Sequence, residues 1–265
     1  DITLTPEAEL WSEIEARAGL AMPVGYYAIM ESALRHARGE SVAINRDRLA
    51  ALYTQFSQVA MDNPHAWNRL GMDADSIRNP SSSNKMLAFP YTKYHNSQWN
   101  VDQAASLIFC SAGKAEALGI PRSQWVFPLA STESNHMVNT SQRAHLHRST
   151  GAEIAGQRAL HLAGVSVEEL QYLDLYSCFP VAVKIVAEAL GIDEQRPLTI
   201  TGGMTFAGGP LNNYVLQATC RMAELLRADL GSKGLVSSVS GMMTKQGFGL
   251  WSSKPGVRDF QFADV

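Results

Sequence analysis

GGMTFAGGPLNNY, residues 202–214, interrupts a moderately apolar chain with four glycines and a proline just before a long helical pattern. Gly202, Gly203, Gly208 and Gly209 admit positive φ and close approach of another group, and Pro210 fixes the direction in which the chain leaves. From Asn212 or Asn213 a capped helix is expected, with Val215, Leu216, Thr219, Met222, Ala223 and Leu226 on its buried face. A strand end, a glycine-rich loop and a helix N-terminus in that order suit a polar or anionic group. The plainer alternative is a connector whose glycines serve only packing.

Outward from this loop the pattern alternates strands and helices. Leu170 to Tyr176 reads as a strand and Pro180 to Leu190 as the helix that follows it. At their junction, with Ser177 as N-cap, Cys178 falls in the first helical turn, where unpaired N–H groups and the helix dipole lower a thiol pKa. Cys178 as a small buried apolar residue is the alternative. Further back, Val101 to Cys110 reads as a buried strand, Ser111 to Leu118 as a short helix stopped by Gly119, Trp125 to Ala130 as a strand, and Ser149 to Ala163 as a helix closed by Gly164. Downstream, Leu235 to Ser240 and Phe248 to Ser253 are the last strands, Gly247 and Gly249 marking a hairpin turn or a close backbone approach. The tail from Pro255 to Val265 reads as loosely held. This order predicts a mixed five-stranded α/β sheet, mostly parallel, with helices on both faces.

Residues 1–84 read instead as a helical segment with a linker, ahead of an α/β domain over 85–265. One helix starts at Thr5 and Pro6 and closes at Gly19. A second runs from Pro23 to Arg38, and a third carries Leu49, Leu52, Tyr53, Phe56, Val59 and Ala60 at helical spacing. A short fourth helix, Asp73 to Ile77, precedes the linker Asn79-Pro80-Ser81-Ser82-Ser83-Asn84.

The totals exclude several classes. In 265 residues, 46% are hydrophobic and 18% charged, with net charge −3, so nothing draws the chain to nucleic acid or an anionic membrane. No apolar run has the length of a membrane span. Cys110, Cys178 and Cys220 are too few and scattered for a disulfide framework or a zinc cluster, and a reducing cytoplasm is the expectation. His145 and His147 alternate like ligands without a third, so no metal is expected. His95 reads as a surface or satisfied histidine, or as polar lining. Asp1 rather than methionine opens the chain, which reads as a fragment or a processed product.

Three stretches together resemble the thiolase superfamily. Gly208-Gly209-Pro210 is similar to the thiolase Gly-His-Pro triplet, with Gly209 where the catalytic histidine stands. Tyr176-Ser177-Cys178-Phe179 resembles the His-Asp-Cys-Phe of sterol-carrier-protein-type thiolases, changed at its first two positions. SGMMTKQGFGLW, residues 240–251, resembles the loop that holds a cysteine or a His-Asn pair, a pair that Gln246 and Gly247 replace here. The resemblance covers residues 85–253 as the C-terminal half of such a protein; the preceding helices look like the insertion between the halves.

It implies a part of an acyl-CoA acyltransferase, similar to acetyl-CoA acetyltransferases, that performs Claisen condensation or thiolysis and dimerises or needs its other half as partner. Cys178 and Tyr176 take the catalytic positions. Gly208, Gly209, Pro210, Asn212, Gln246 and Gly247 take those that bind a coenzyme A thioester, the only cofactor-like molecule implied. With both histidine positions empty, turnover is expected to be impaired. The alternatives are a thiolase-like protein that binds acyl-CoA without turnover, and a carbon–carbon lyase using Tyr176.

Overall fold

The computed structural model describes residues 11–20 and 22–265. The expected helix start at Thr5 and Pro6 lies outside them. The first described helix, α1 (Glu13–Arg17), is capped reciprocally by Ser12 and Glu15. Pro23 opens α2 (Pro23–Ala37), where its missing N–H costs nothing; Ser41 caps α3 (Val42–Asp62) and Asp73 caps α4 (Ala74–Arg78). A small antiparallel ribbon, β1 (Met86–Ala88) and β2 (Tyr91–Thr92), follows. Then come α5 (Ala112–Ala117), β3 (Phe127–Asn135), α6 (Thr150–Ala163), β4 (Tyr172–Asp174), α7 (Pro180–Leu190) and α8 (Gly203–Phe206). The chain ends with α9 (Tyr214–Ala228), β5 (Lys233–Ser240), β6 (Lys245–Ser252) and β7 (Gln261–Asp264).

Five strands form one mixed sheet in the order β4-β5-β6-β3-β7, flanked by helices on both faces. Register sets the faces. Leu235 opposite Leu250 and Ser237 opposite Phe248 share the face on which α6 and α7 pack, while Val236 and Tyr172 turn to α9. Tyr53, Phe56 and Met30 of the helical segment lie in the same buried cluster as Val181 and Ile185 of α7. Lys184 of α7 is buried against Glu31 of α2, whose carboxylate also accepts from Asn45 (2.8 Å) and Tyr91 (2.8 Å), so the buried charges are paired. The serine-rich linker is pinned. Asn84, wholly buried, donates to the carbonyls of Ser76, Ile77 and Asn79 and accepts from the N–H of Tyr94.

Three expectations fail here. Residues 101–110 are not a strand. They lie over α9 and the glycine-rich loop, Gln103 donating to the carbonyl of Ala207 and Cys220 to that of Ser106, with no backbone–backbone hydrogen bond to any described residue and with Ile108 94% exposed. The fifth strand is β7, in the tail expected to be loose, which pairs parallel with β3 from Ala130 opposite Gln261 to Glu133 opposite Asp264. The sheet is evenly divided: β4–β5 and β3–β7 are parallel, β5–β6 and β3–β6 antiparallel. A period of two reports extended backbone, not the neighbour that pairs with it.

Candidate functional site

The glycine-rich loop wraps a carboxylate of its own chain. Asp174, the last residue of β4 and fully buried, accepts from Thr199 Oγ1 (2.9 Å), the N–H of Ile200 (3.1 Å), the N–H of Thr201 (3.2 Å), Thr201 Oγ1 (3.0 Å) and Tyr214 Oη (2.7 Å). The N–H groups of Gly202 and Gly203 donate to Thr199 Oγ1, and that of Met204 to Ser177 Oγ. Main-chain donors that the sequence suggested for a ligand anion are thus taken internally from 200 to 204. A second seam runs through residues 97–98. The N–H of Ser97 donates to Cys178 O (3.2 Å), that of Gln98 to Met204 O (3.0 Å), and that of Gly209 to Gln98 O (2.8 Å). The two segments singled out in the sequence are thereby fixed side by side.

Between them opens a cavity of about 670 Å³, lined mainly by apolar groups. Tyr176, Cys178, Gly209, Asn212, Gln246 and Gly247 all line it; Gly208 and Pro210 do not. Gly208, at φ +95°, faces Gln103 instead, whose Nε2 stands 2.6 Å from where a Cβ would sit. Gly209 is small because it must be: a Cβ there would lie 2.3 Å from Ser97 Oγ and 2.8 Å from Met204 Cβ. Gln246 is 3% exposed, packs beside Gly151 in the first turn of α6, and neither atom of its amide makes a hydrogen bond. Gly247 and Gly249 sit within β6 rather than in the hairpin turn, which runs from Gly241 to Thr244. The close-approach reading holds for Gly247, where a Cβ would meet Ser238 Oγ at 2.4 Å.

The electrostatics reverse one expectation. α7 begins at Pro180 with Phe179 as its N-cap, so Ser177 caps nothing and Cys178 precedes the first turn. Cys178 is half-buried on the cavity wall, and desolvation there pushes its thiol up to about 12. Desolvation likewise raises the Tyr176 phenol, whose ring meets that of Tyr214 edge-on at 5.7 Å. Asn213, at the start of α9, makes no side-chain cap, and Leu216, expected inside, is 44% exposed while Tyr214 and Ala218 are buried. His95 is buried beside Tyr53 and Tyr91, its Nδ1 paired with Thr92 Oγ1 at 2.9 Å; burial holds its pKa down at about 3, so the ring is neutral. His145 and His147 meet edge-on, and no three potential metal ligands gather among the described residues.

Sequence reasoning missed Tyr27, which lines the cavity from α2, stacks on Phe179 at 4.4 Å and donates to Gly241 O at 3.1 Å. It also missed Trp99, Met204 and Met242 on the walls, and Asp174 beneath them. A signal for Asp174 exists in retrospect: a carboxylate closing a short apolar strand needs donors, and Thr199 and Thr201 alternate toward it.

No family model matches the chain. It is 23% identical over 248 residues to an acetyl-CoA acetyltransferase of Methanothermobacter thermautotrophicus, covering 87% of this chain and 61% of that one. It is 29% identical over 141 residues to an acetyl-CoA acetyltransferase of Pseudomonas aeruginosa, covering 51% and 32%. Among solved structures, a monomeric SCP2-thiolase-like protein type 1 from Mycobacterium smegmatis superposes with TM-score 0.83 at 28% identity, over 92% of this chain and 54% of that one. The Ltp2–ChsH2(DUF35) aldolase, at 16% identity and TM-score 0.69, shares the fold. The chain therefore spans about three-fifths of the archaeal relative and about half of the mycobacterial one. Fold and relatives place it in the thiolase superfamily. Within that superfamily it is similar to the SCP2-thiolase-like proteins. No helix among the described residues is long and apolar enough to cross a membrane.

Proposed function

We propose that this chain forms the acyl-thioester-binding part of a thiolase-superfamily protein whose thiolytic and condensing activity is weak. The observation that carries this reading is the chemistry of the cavity wall: a mainly apolar chamber of about 670 Å³ with a thiol, phenols, amides, the Glu133 carboxylate and the Lys245 amine, but no imidazole among its described lining residues. Thiolytic chemistry needs a thiolate and a group to move protons. Burial keeps the Cys178 thiol protonated, Gly209 has no side chain, and the Gln246 amide does not titrate. Apolar walls suit an acyl chain, and Asn212 at the rim suits the polar part of a coenzyme A thioester. Further chain, in the same polypeptide or a partner subunit, completes the protein, and its setting is the cytoplasm.

The test is a pair of measurements with acetoacetyl-CoA: equilibrium binding by calorimetry, and cleavage in the presence of free coenzyme A. Binding with turnover at least about a hundredfold below an ordinary enzyme rate of roughly 10 per second supports the reading. Ordinary turnover would overturn the inactive part, and absence of binding would overturn the whole.

A second reading, carbon–carbon cleavage, is favoured by one observation: the Tyr176 phenol stands on the cavity wall beside Cys178. With its pKa raised, that phenol would serve as a proton donor rather than a base. A lyase activity that Tyr176→Phe leaves untouched would remove this reading.

A further inference from the structure

We propose that Asp174 is the positioning residue of the cavity, an internal carboxylate around which the 199–204 loop and the start of α9 are assembled. It rests on the reading of the cavity as the binding site, but not on the identity of the ligand. Five donors from two places converge on one carboxylate: two hydroxyls and two N–H groups of residues 199–201, and the hydroxyl of Tyr214 on α9. A buried carboxylate with this many donors is held in one orientation, and it holds its donors in return.

Two of those donors, Thr199 and Tyr214, lead to the cavity. Thr199 Oγ1 accepts from the N–H groups of Gly202 and Gly203, where φ is +101° and +72°, so the threonine that Asp174 orients fixes the left-handed turn into α8. The next N–H, of Met204, reaches Ser177, and the Met204 side chain forms cavity wall against Gly209. Through Tyr214, whose ring meets Tyr176 edge-on, the same carboxylate sets the phenol that faces the chamber. Asp174 itself does not line the cavity. It acts through Met204, Gly209 and Tyr176.

The loop's occupancy by its own carboxylate has a further consequence. A phosphate or an oxyanion entering the cavity finds the donors from 200 to 204 already bound, so ligand selectivity here belongs to shape and apolar contact rather than to an anion nest. Inorganic phosphate or pyrophosphate should therefore find no free donor in the 200–204 loop.

The test compares Asp174→Asn with the unaltered chain by hydrogen exchange, resolved to residues 199–204 and to the β5–β6 hairpin, and by alkylation of Cys178 with iodoacetamide at pH 8 against Cys110 as exposed reference. The substitution keeps the shape but turns an N–H toward donors that need an acceptor. Exchange at 200–204 and relative alkylation of Cys178 should both rise about tenfold or more, because hydrogen bonds to a buried charge are among the strongest in a fold. The hairpin should stay protected. Equal acceleration in the hairpin would mean general destabilisation and would overturn the positioning role, as would unchanged exchange in the loop. If Asp174→Asn does not fold, Tyr214→Phe removes a single donor and should accelerate the same residues about threefold, with the same two overturning outcomes. None of these readouts involves acyl-CoA, so a failure here is separate from a failure of the binding reading.

Discussion

The N–H of Met204 donates to Ser177 Oγ at 2.9 Å, and this bond joins the glycine-rich loop to the end of β4. Both residues are buried, at 3% and 0% exposure, so water cannot replace the hydroxyl. Ser177→Ala should therefore cost about 1–3 kcal/mol, the penalty of a buried donor left unbonded. Chemical denaturation measures it directly, and an unchanged midpoint would show that the loop finds another acceptor.

Gly209 stands where a thiolase histidine would be expected, and restoring the imidazole is the obvious experiment. The structure predicts that Gly209→His fails for want of space. A first carbon at 2.3 Å from Ser97 Oγ and 2.8 Å from Met204 Cβ forces both to move. Overpacking of this kind costs about 1–3 kcal/mol, and the loop shift it causes should lower acyl-CoA affinity rather than raise turnover. Thermal unfolding together with a thiolysis assay decides the matter; a stable, active variant would contradict it.

Cys178 should be the slowest of the cysteines to alkylate at pH 8, and Cys110, which is exposed, much faster. The thiol's pKa is near 12 in the fold against 9.0 unperturbed. A raised folded value means that the unfolded state loses its proton first, so the contribution to stability is complete below about pH 9 and is lost as pH climbs toward 12. Cys178→Ala should flatten the alkaline limb of a stability–pH curve. A limb of unchanged slope would show that the phenols, not the thiol, carry it.

Amide exchange should be fast throughout 101–110 and slow in β3 at 130–133. The first stretch has no backbone partner, whereas β3 is bonded on one side by β6 and on the other by β7. Truncation after Lys254 should then speed exchange at 130–133 by exposing the outer edge of β3, while leaving residues 101–110 as they were. Protection of 101–110 in the intact chain would mean that the segment pairs in solution.

The sequence determined this protein locally. Caps and breakers are contacts between near neighbours: Ser149 and Gly164 bound α6, Pro180 opens α7 and Asp73 starts α4, all legible without a fold. The three motif segments were likewise found as segments, and Tyr176, Cys178, Gly209, Asn212, Gln246 and Gly247 do share one cavity. What the sequence could not decide was partnership. Residues 101–110 have the better strand pattern, yet β7 takes the edge of β3, because pairing depends on which backbone groups the folded body leaves open. Nor could it decide charge. A cysteine at a strand-to-helix junction reads as activated from its position in the chain, but Cys178 lies half-buried on the cavity wall ahead of the helix, where desolvation raises its thiol. Asp174 shows the same division. Its carboxylate is visible in the sequence, and its role exists only where residues 199–201 and Tyr214 fold back over it, since the cost of burying a charge is met by donors far away along the chain.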